Sequence, residues 1–174
     1  AQFFFQIFKT ISIFQISFIS KGIPVRGAIT MGGLHVGDDF VLGQTILEAY
    51  KIESEISIYP RILISQQCLD RIDDIFKDEI YKGCLLKDAD SNLFVNYLYV
   101  LNRLKPKVKF IRDVLFMHKT QIESNLYIYS ADSKVWSKYI WMASYHNYYC
   151  KTFYNGDTNY RKFLIDERFT ERKF

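Results

Sequence analysis

Cysteine is scarce in this chain: Cys68, Cys84 and Cys150 are the only three in 174 residues. An odd count with no C-x-x-C spacing argues against a disulfide framework and a zinc site, and it points to a reducing compartment, the cytoplasm. Familiar catalytic signatures are missing too. There is no G-x-S-x-G nucleophile elbow and no H-E-x-x-H helix, and no lysine–serine pair follows Gly32-Gly33 to make a P-loop. Neither sign of charge dominates. The net charge is +4 with acids interspersed among the bases, so no nucleic-acid partner is implied. Repeats and low-complexity segments are also absent. The first twenty residues hold a single charge, Lys9, and approach the length of a membrane span. However, Gln2, Gln6, Lys9, Thr10, Ser17 and Ser20 recur at near-helical spacing. No cationic region precedes them and no small-residue cleavage site follows. The pattern predicts a buried amphipathic helix over 2–20 and no membrane partner. The chain opens without methionine, inside that helix, as expected of a piece of a longer protein.

What is present has the composition of a soluble globular chain, 49% hydrophobic and 24% charged, and the length is enough for one domain with a sizeable core. The first helix ends at Lys21-Gly22, a basic last turn followed by a stop glycine. Pro24 to Met31 reads as a strand ending in Gly32-Gly33, and residues 34–41 as a returning strand broken by a turn at Gly37-Asp38. From Gly43 to about Ser57 a helix carries one apolar stripe of Leu42, Ile46, Ala49, Ile52 and Ile56. A strand follows at 61–65, then a helix over 66–79 that buries Leu69, Ile72 and Phe76. The second half reads as a hairpin, 81–87 and 92–100, around Asp88-Ala89-Asp90-Ser91. Two helices come after Pro106. One, about 107–128, buries Ile111, Leu115, His118, Ile122 and Leu126. The other, about 132–149, buries Val135, Tyr139, Met142, His146 and Tyr149. A short strand is expected at 163–165.

The most informative stretch runs from Val25 to Ser54. Arg26, Ile29 and Gly32 fit the pattern R-x-G-I-x-x-G, with Ala28 at its central glycine. Gly43, Thr45, Ala49, Glu53 and Ser54 fit G-x-T-V-N-x-A-x-R-x-E-S. On these residues the chain resembles the second half of a class III nucleotidyl cyclase homology domain, the adenylate and guanylate cyclases. The resemblance implies an α/β (α+β) fold: a ferredoxin-like, cyclase-type sheet with packed helices and a C-terminal helical elaboration. Residues 1–80 would be a partial cyclase-like core, and 81–174 a hairpin plus helical extension packed on it. It also implies a divergent cyclase-like protein that acts on or binds nucleoside triphosphates in bacterial cyclic-nucleotide signalling, using Mg²⁺ or Mn²⁺ if active. The alternative is a catalytically inactive cyclase-homology interaction or sensor module. A homodimer or heterodimer is implied, because the family's site forms between two subunits.

Departures fall on the positions that carry the family's chemistry. Its ribose-orienting asparagine aligns with Leu47, and its phosphate-stabilising arginine with Lys51. Lysine is a point charge without the planar fork of arginine, so Lys51 is the candidate catalytic residue but not an equivalent one. The base-reading position aligns with Phe40, which can stack on a base but cannot tell purines apart by hydrogen bonds. Phe40, Gly43 and Leu47 are thus the candidate substrate-binding residues. No metal ligand is assigned, since the family's metal-binding carboxylates lie upstream of the matched region. Leu47 and Lys51 stand one helical turn apart, off the apolar stripe. That marks either a dimer interface or ligand cleft, or an ordinary solvated lysine beside an exposed leucine. Of the remaining candidates, Asp38-Asp39 reads as a turn former and Asp70, Asp73 and Asp74 as a solvated helix face. His118 and His146 lie on the apolar faces of consecutive helices, where they can meet as satisfied core histidines or as an incomplete metal pair.

Overall fold

Ile62-Leu63-Ile64 is an apolar run bounded by polar residues, and in the computed structural model it forms an interior strand, β4, buried on both faces. The structure describes residues 2–72, 83–104, 107–170 and 174. On one side of β4 lies β1 (Gly27–Ile29), parallel to it, with Ala28 opposite Leu63. On the other side lies β6 (Leu93–Val95), antiparallel, with Phe94 opposite Leu63. The outermost strand is β5 (Leu85–Lys87), so the order is β1-β4-β6-β5. A separate hairpin, β2 (His35–Val36) and β3 (Val41–Leu42), and helix α2 (Gln44–Lys51) make the crossover from β1 to β4.

A small mixed sheet with packed helices is the α+β class expected. Its βαβ unit is unsplit, however: β1 lies directly on β4, whereas a ferredoxin-like half places another strand between the two. The β5–β6 hairpin completes this same sheet, which therefore runs across residue 80. Phe76 and the first residues of the hairpin expected from 81 lie outside the described residues.

Alternation along the strands sends side chains to two cores. Leu63 and Phe94 point into a cluster with Leu115, Ile122, Trp141 and Tyr145. Ile62, Ile64, Leu85 and Val95 point into the other, with Phe4, Phe8, Cys68 and Leu69. The second cluster is covered by α1 (Gln2–Ile19) and the short α3 (Gln66–Asp70), capped by the Ser65 hydroxyl. The buried stripe of α1 is Phe4, Phe8, Ser12, Gln15 and Ile19, so two polar residues lie inside while Phe3 and Phe14 are exposed. Ser12 donates its hydroxyl to the Phe8 carbonyl; the buried Gln15 amide has no hydrogen-bond partner among the described residues.

The first cluster is covered by two long helices, with α4 (Val100–Leu104) leading towards them. They are α5 (Val108–Ile128) and α6 (Ser133–Phe153), the latter capped by Asp132. Their buried residues include Leu115, His118, Ile122, Leu126, Tyr139, Met142, His146 and Tyr149, as the 3.6-residue period requires. The strand expected at 163–165 does not form. Tyr160–Phe163 is a 3₁₀ turn, and the Asn147 amide takes the place of a neighbouring strand: it donates to the Ile165 carbonyl at 2.7 Å and accepts from the Ile165 N–H at 2.8 Å.

One buried charge ties these layers together. Arg61 enters β4 with no solvent exposure and pairs with Asp88 and Asp90 at the tip of the β5–β6 hairpin. The Trp141 indole N–H of α6 donates to the same Asp88 carboxylate at 2.7 Å. Removing Arg61 leaves the fully buried Asp88 carboxylate without its counter-ion. Arg61→Ala is expected to cost about 3–5 kcal/mol in urea denaturation. A loss below about 1 kcal/mol, the size typical of an exposed pair, would show that this ion pair is not structural.

Candidate functional site

Helix α2 begins where the backbone crosses itself closely. A side chain at Gly43 would collide with the Gly33 carbonyl, and one at Gly32 with the Thr45 hydroxyl, so both glycines are demanded by packing. Thr45 seals the crossing: its hydroxyl donates to the Gly33 carbonyl at 3.3 Å, and its own carbonyl accepts from the Thr30 hydroxyl at 3.0 Å. At the far end the helix widens into a π-helical turn over Ile52–Ile56. There Glu53 pairs with Arg26, so two of the matched positions meet as an ion pair.

Nothing on α2 is buried. Of the expected stripe, Leu42 is 61% exposed and Ile46 39%, and Ile52 is the member that packs against the main core. The physical reason is position: α2 lies over β1, the outer strand of the sheet, and the π-turn rotates the following residues off the stripe. The result is an outward face. Phe40 is half exposed and stacks on His35, with ring centroids 5.9 Å apart, above the Gly37 backbone. Leu47 is 63% exposed, and Lys51, also exposed, makes no ion pair among the described residues. Gly43 supplies the turn between Phe40 and the helix. Leu34, Val36, Val41, Leu42, Ile46 and Tyr50 extend this apolar surface. Asp38 and Asp39 stand exposed in the hairpin turn.

Sequence reasoning missed a cleft on the other flank of α2. It holds about 470 Å³ and is lined by Glu48, Ile52 and Ile56 from the helix, Leu63 to Gln66 and Leu69 from the end of β4 and α3, and Lys87 and Ser91 to Leu93 from the hairpin. The missed Arg61–Asp88–Asp90 group, which braces that hairpin, did have a signal. A charged residue opening an all-apolar strand must find a partner, and an Asp-x-Asp turn offers one. Burial opposes ionisation of Asp90, yet bonds from Arg61 and Asn92 outweigh it and hold its carboxyl down at about 2.

His118 and His146 meet, as their spacing allowed. Their Nδ1 atoms lie 2.9 Å apart, the Tyr97 hydroxyl lies 2.9 Å from His118 Nε2, and His146 Nε2 lies 2.8 Å from the Phe163 carbonyl. One proton arrangement satisfies every contact. Tyr97 donates to His118, His118 Nδ1–H donates to His146, and His146 Nε2–H donates to the carbonyl, with both rings neutral. Among the described residues no group of three His, Cys, Asp or Glu is arranged to hold a metal ion. The described helices include none long and apolar enough to cross a membrane. Comparison with protein-family models, curated proteins and solved structures finds no significant match for the chain.

The neutral pair sets a pH dependence. Burial pushes His118 well below the ordinary imidazole range, with His146 adding to the effect. Burial also takes His146 down to about 4, against its bond to the Phe163 carbonyl. Unfolded, both rings take a proton near pH 6.5; folded, they resist. The unfolded chain therefore binds more protons in this window, and stability falls as the pH drops from about 6.5 towards 4. The expected slope is up to about 1.4 kcal/mol per pH unit for each ring. Urea titrations at successive pH values check it: His146→Gln should flatten the slope, and an unchanged slope would contradict a neutral pair.

Proposed function

We propose that this chain is a nucleotide-handling domain of the class III cyclase type, in which Phe40, Gly43, Leu47 and Lys51 meet a nucleoside triphosphate on a face closed by a second subunit. The observation that carries this reading is the outward face of α2 and its hairpin. Phe40, Leu47 and Lys51, which align with the family's base, ribose and phosphate positions, are all exposed there, outside both core clusters, and Lys51 makes no ion pair among the described residues. Lys51 supplies a point charge to a phosphate. Phe40 offers a ring for a base to stack on, and Leu47 offers an apolar contact where an amide would have oriented a ribose. None of the four is a carboxylate, so they do not fit a Mg²⁺ or Mn²⁺ centre. Without charge compensation at the reacting phosphorus, several kcal/mol of transition-state stabilisation is missing. The chain alone therefore binds nucleotide without cyclising it.

Incubation with each of the four ribonucleoside triphosphates and Mn²⁺ tests this reading. Binding should appear by calorimetry, weaken about tenfold in Lys51→Ala, a change of about 1.4 kcal/mol, and yield no 3′,5′-cyclic product by mass spectrometry. A cyclic product lost in that variant would make Lys51 catalytic, whereas no binding of any nucleotide would remove the reading.

The second reading, an inactive cyclase-homology interaction module, is favoured by the apolar content of the same face. Eight large hydrophobic side chains between Leu34 and Tyr50 are 39–69% exposed. So many exposed apolar side chains within one hairpin–helix segment favour an interface, and a second copy of the chain is the occupant we propose. Light scattering should give a dimer that Leu47→Asp converts to monomer. A wild-type monomer at high concentration would exclude the homodimer.

A further inference from the structure

A second cleft, of about 460 Å³, opens beyond the carboxyl end of β1, lined by Met31, Gly32, Gly33, Gln67, Asp70 and Arg71. We propose that it binds an oxyanion of the phosphate class, with Arg71 as the charge, Gln67 as a neutral donor and Gly33 as the point of close approach.

Gly33 is the first argument. Gly32 and Gly43 are glycines because a side chain would collide with the neighbouring chain, and Gly22 because its φ is positive. Gly33 has neither reason. Its φ lies outside the left-handed region, and a Cβ built on it meets no atom within 4 Å. Neither packing nor backbone conformation asks for glycine there, and the missing side chain leaves the wall of an open cleft bare. Bare backbone is what a ligand needs in order to approach closely.

Arg71 is the second. It projects from the end of α3 and makes no ion pair among the described residues, unlike Arg26, Arg61, Arg112 and Arg168. A free guanidinium presents a planar fork that matches the oxygens of phosphate. The acid on the same wall, Asp70, accepts a hydrogen bond from Gln66 Nε2 at 2.7 Å, which engages one of its oxygens. With one cation and one acid among the described lining residues, the cleft suits a single phosphate group better than a polyphosphate. The location fits as well, since ligands of α/β units gather outside the carboxyl ends of parallel strands.

This inference does not rest on the nucleotide reading, because Phe40, Leu47 and Lys51 do not line the cleft. Its test is a ¹H–¹⁵N spectrum of the full chain titrated with inorganic phosphate and, separately, with ribose 5-phosphate, against sodium chloride of equal ionic strength. The expected result is a phosphate-specific shift of the Gly32 and Gly33 amides and of Arg71 Nε. Arg71→Gln should weaken the binding about tenfold, the loss of about 1.4 kcal/mol expected for one charge-assisted bond. Gly33→Val should weaken it with the melting temperature unchanged, since a Cβ at this position meets no atom within 4 Å; a purely structural role for Gly33 would instead lower the melting temperature. Binding of ribose 5-phosphate in preference to phosphate would identify a phosphorylated small molecule as the ligand, and the reverse preference the free ion. Shifts no larger than those in chloride, or shifts that persist in Arg71→Gln, would overturn the proposal. So would Gly33→Val binding as tightly as the parent chain.

Discussion

The structure depends on one buried cation. Taking a guanidinium out of water costs several kcal/mol, and the cost is offset only when opposite charges and hydrogen bonds answer it. Arg61 is answered by Asp88 and Asp90 and by the Tyr59 ring 5.5 Å from its guanidinium, although its Nε has no hydrogen-bond partner among the described residues. Each partner belongs to a different part of the chain. Tyr59 precedes β4, the carboxylates stand at the tip of the β5–β6 hairpin, and Trp141 reaches the same Asp88 from α6. Sheet, hairpin and helical pair are thereby held in one register. No purely apolar contact specifies a geometry so narrowly.

The same logic continues on the far side of α6, where polar side chains replace missing backbone partners. Tyr97, His118 and His146 form a relay that ends on the Phe163 carbonyl. Asn147 brackets both backbone groups of Ile165, and Lys119 donates to the carbonyls of Lys162 and Leu164. The C-terminal segment is thus docked by side chains of α5 and α6, not by a ladder. Tyr145 performs the same service for the 3₁₀ turn after β6: it accepts from the Leu98 N–H and donates to Asn96. A buried polar group without a partner would cost about 1–3 kcal/mol, so these bonds decide which backbone arrangement is tolerated.

Around β1 the balance is different. That strand lies at the margin of the sheet, and α2 rests on it without burying a side chain, while the β2–β3 hairpin stands exposed. Apolar residues stay in water here because there is no second layer to receive them. The two open clefts flank this region, one on each side of the first turn of α3. Both clefts lie at the carboxyl ends of the two parallel strands.

Much of this was legible in the order of residues. The period of 3.6 in α1, α5 and α6, the apolar run of β4 and the turn residues between β5 and β6 are local signals, and local signals survive without knowledge of what packs where. The encounter of His118 with His146 was legible for the same reason, since two helices joined by a short turn bring their apolar faces together. The candidate residues Phe40, Gly43, Leu47 and Lys51 were placed on a single hairpin–helix unit by spacing alone, and there they stand. Exposure was not legible. The stripe on α2 has the pattern of a buried face, yet whether a stripe is covered depends on a neighbouring layer supplied by distant residues. The place of β6 was not legible either: it joins β4 through Leu63 and Phe94, because long-range pairing is decided by which faces can be buried together. Residues 163–165 look like a strand and are extended in part, but their carbonyls bond to side chains of His146, Lys119 and Asn147 and not to a neighbouring strand. Local periodicity is a property of the chain itself. Burial, strand neighbours and the partner of a lone charge are properties of the folded whole, because each requires two segments far apart in sequence to agree on one place in space.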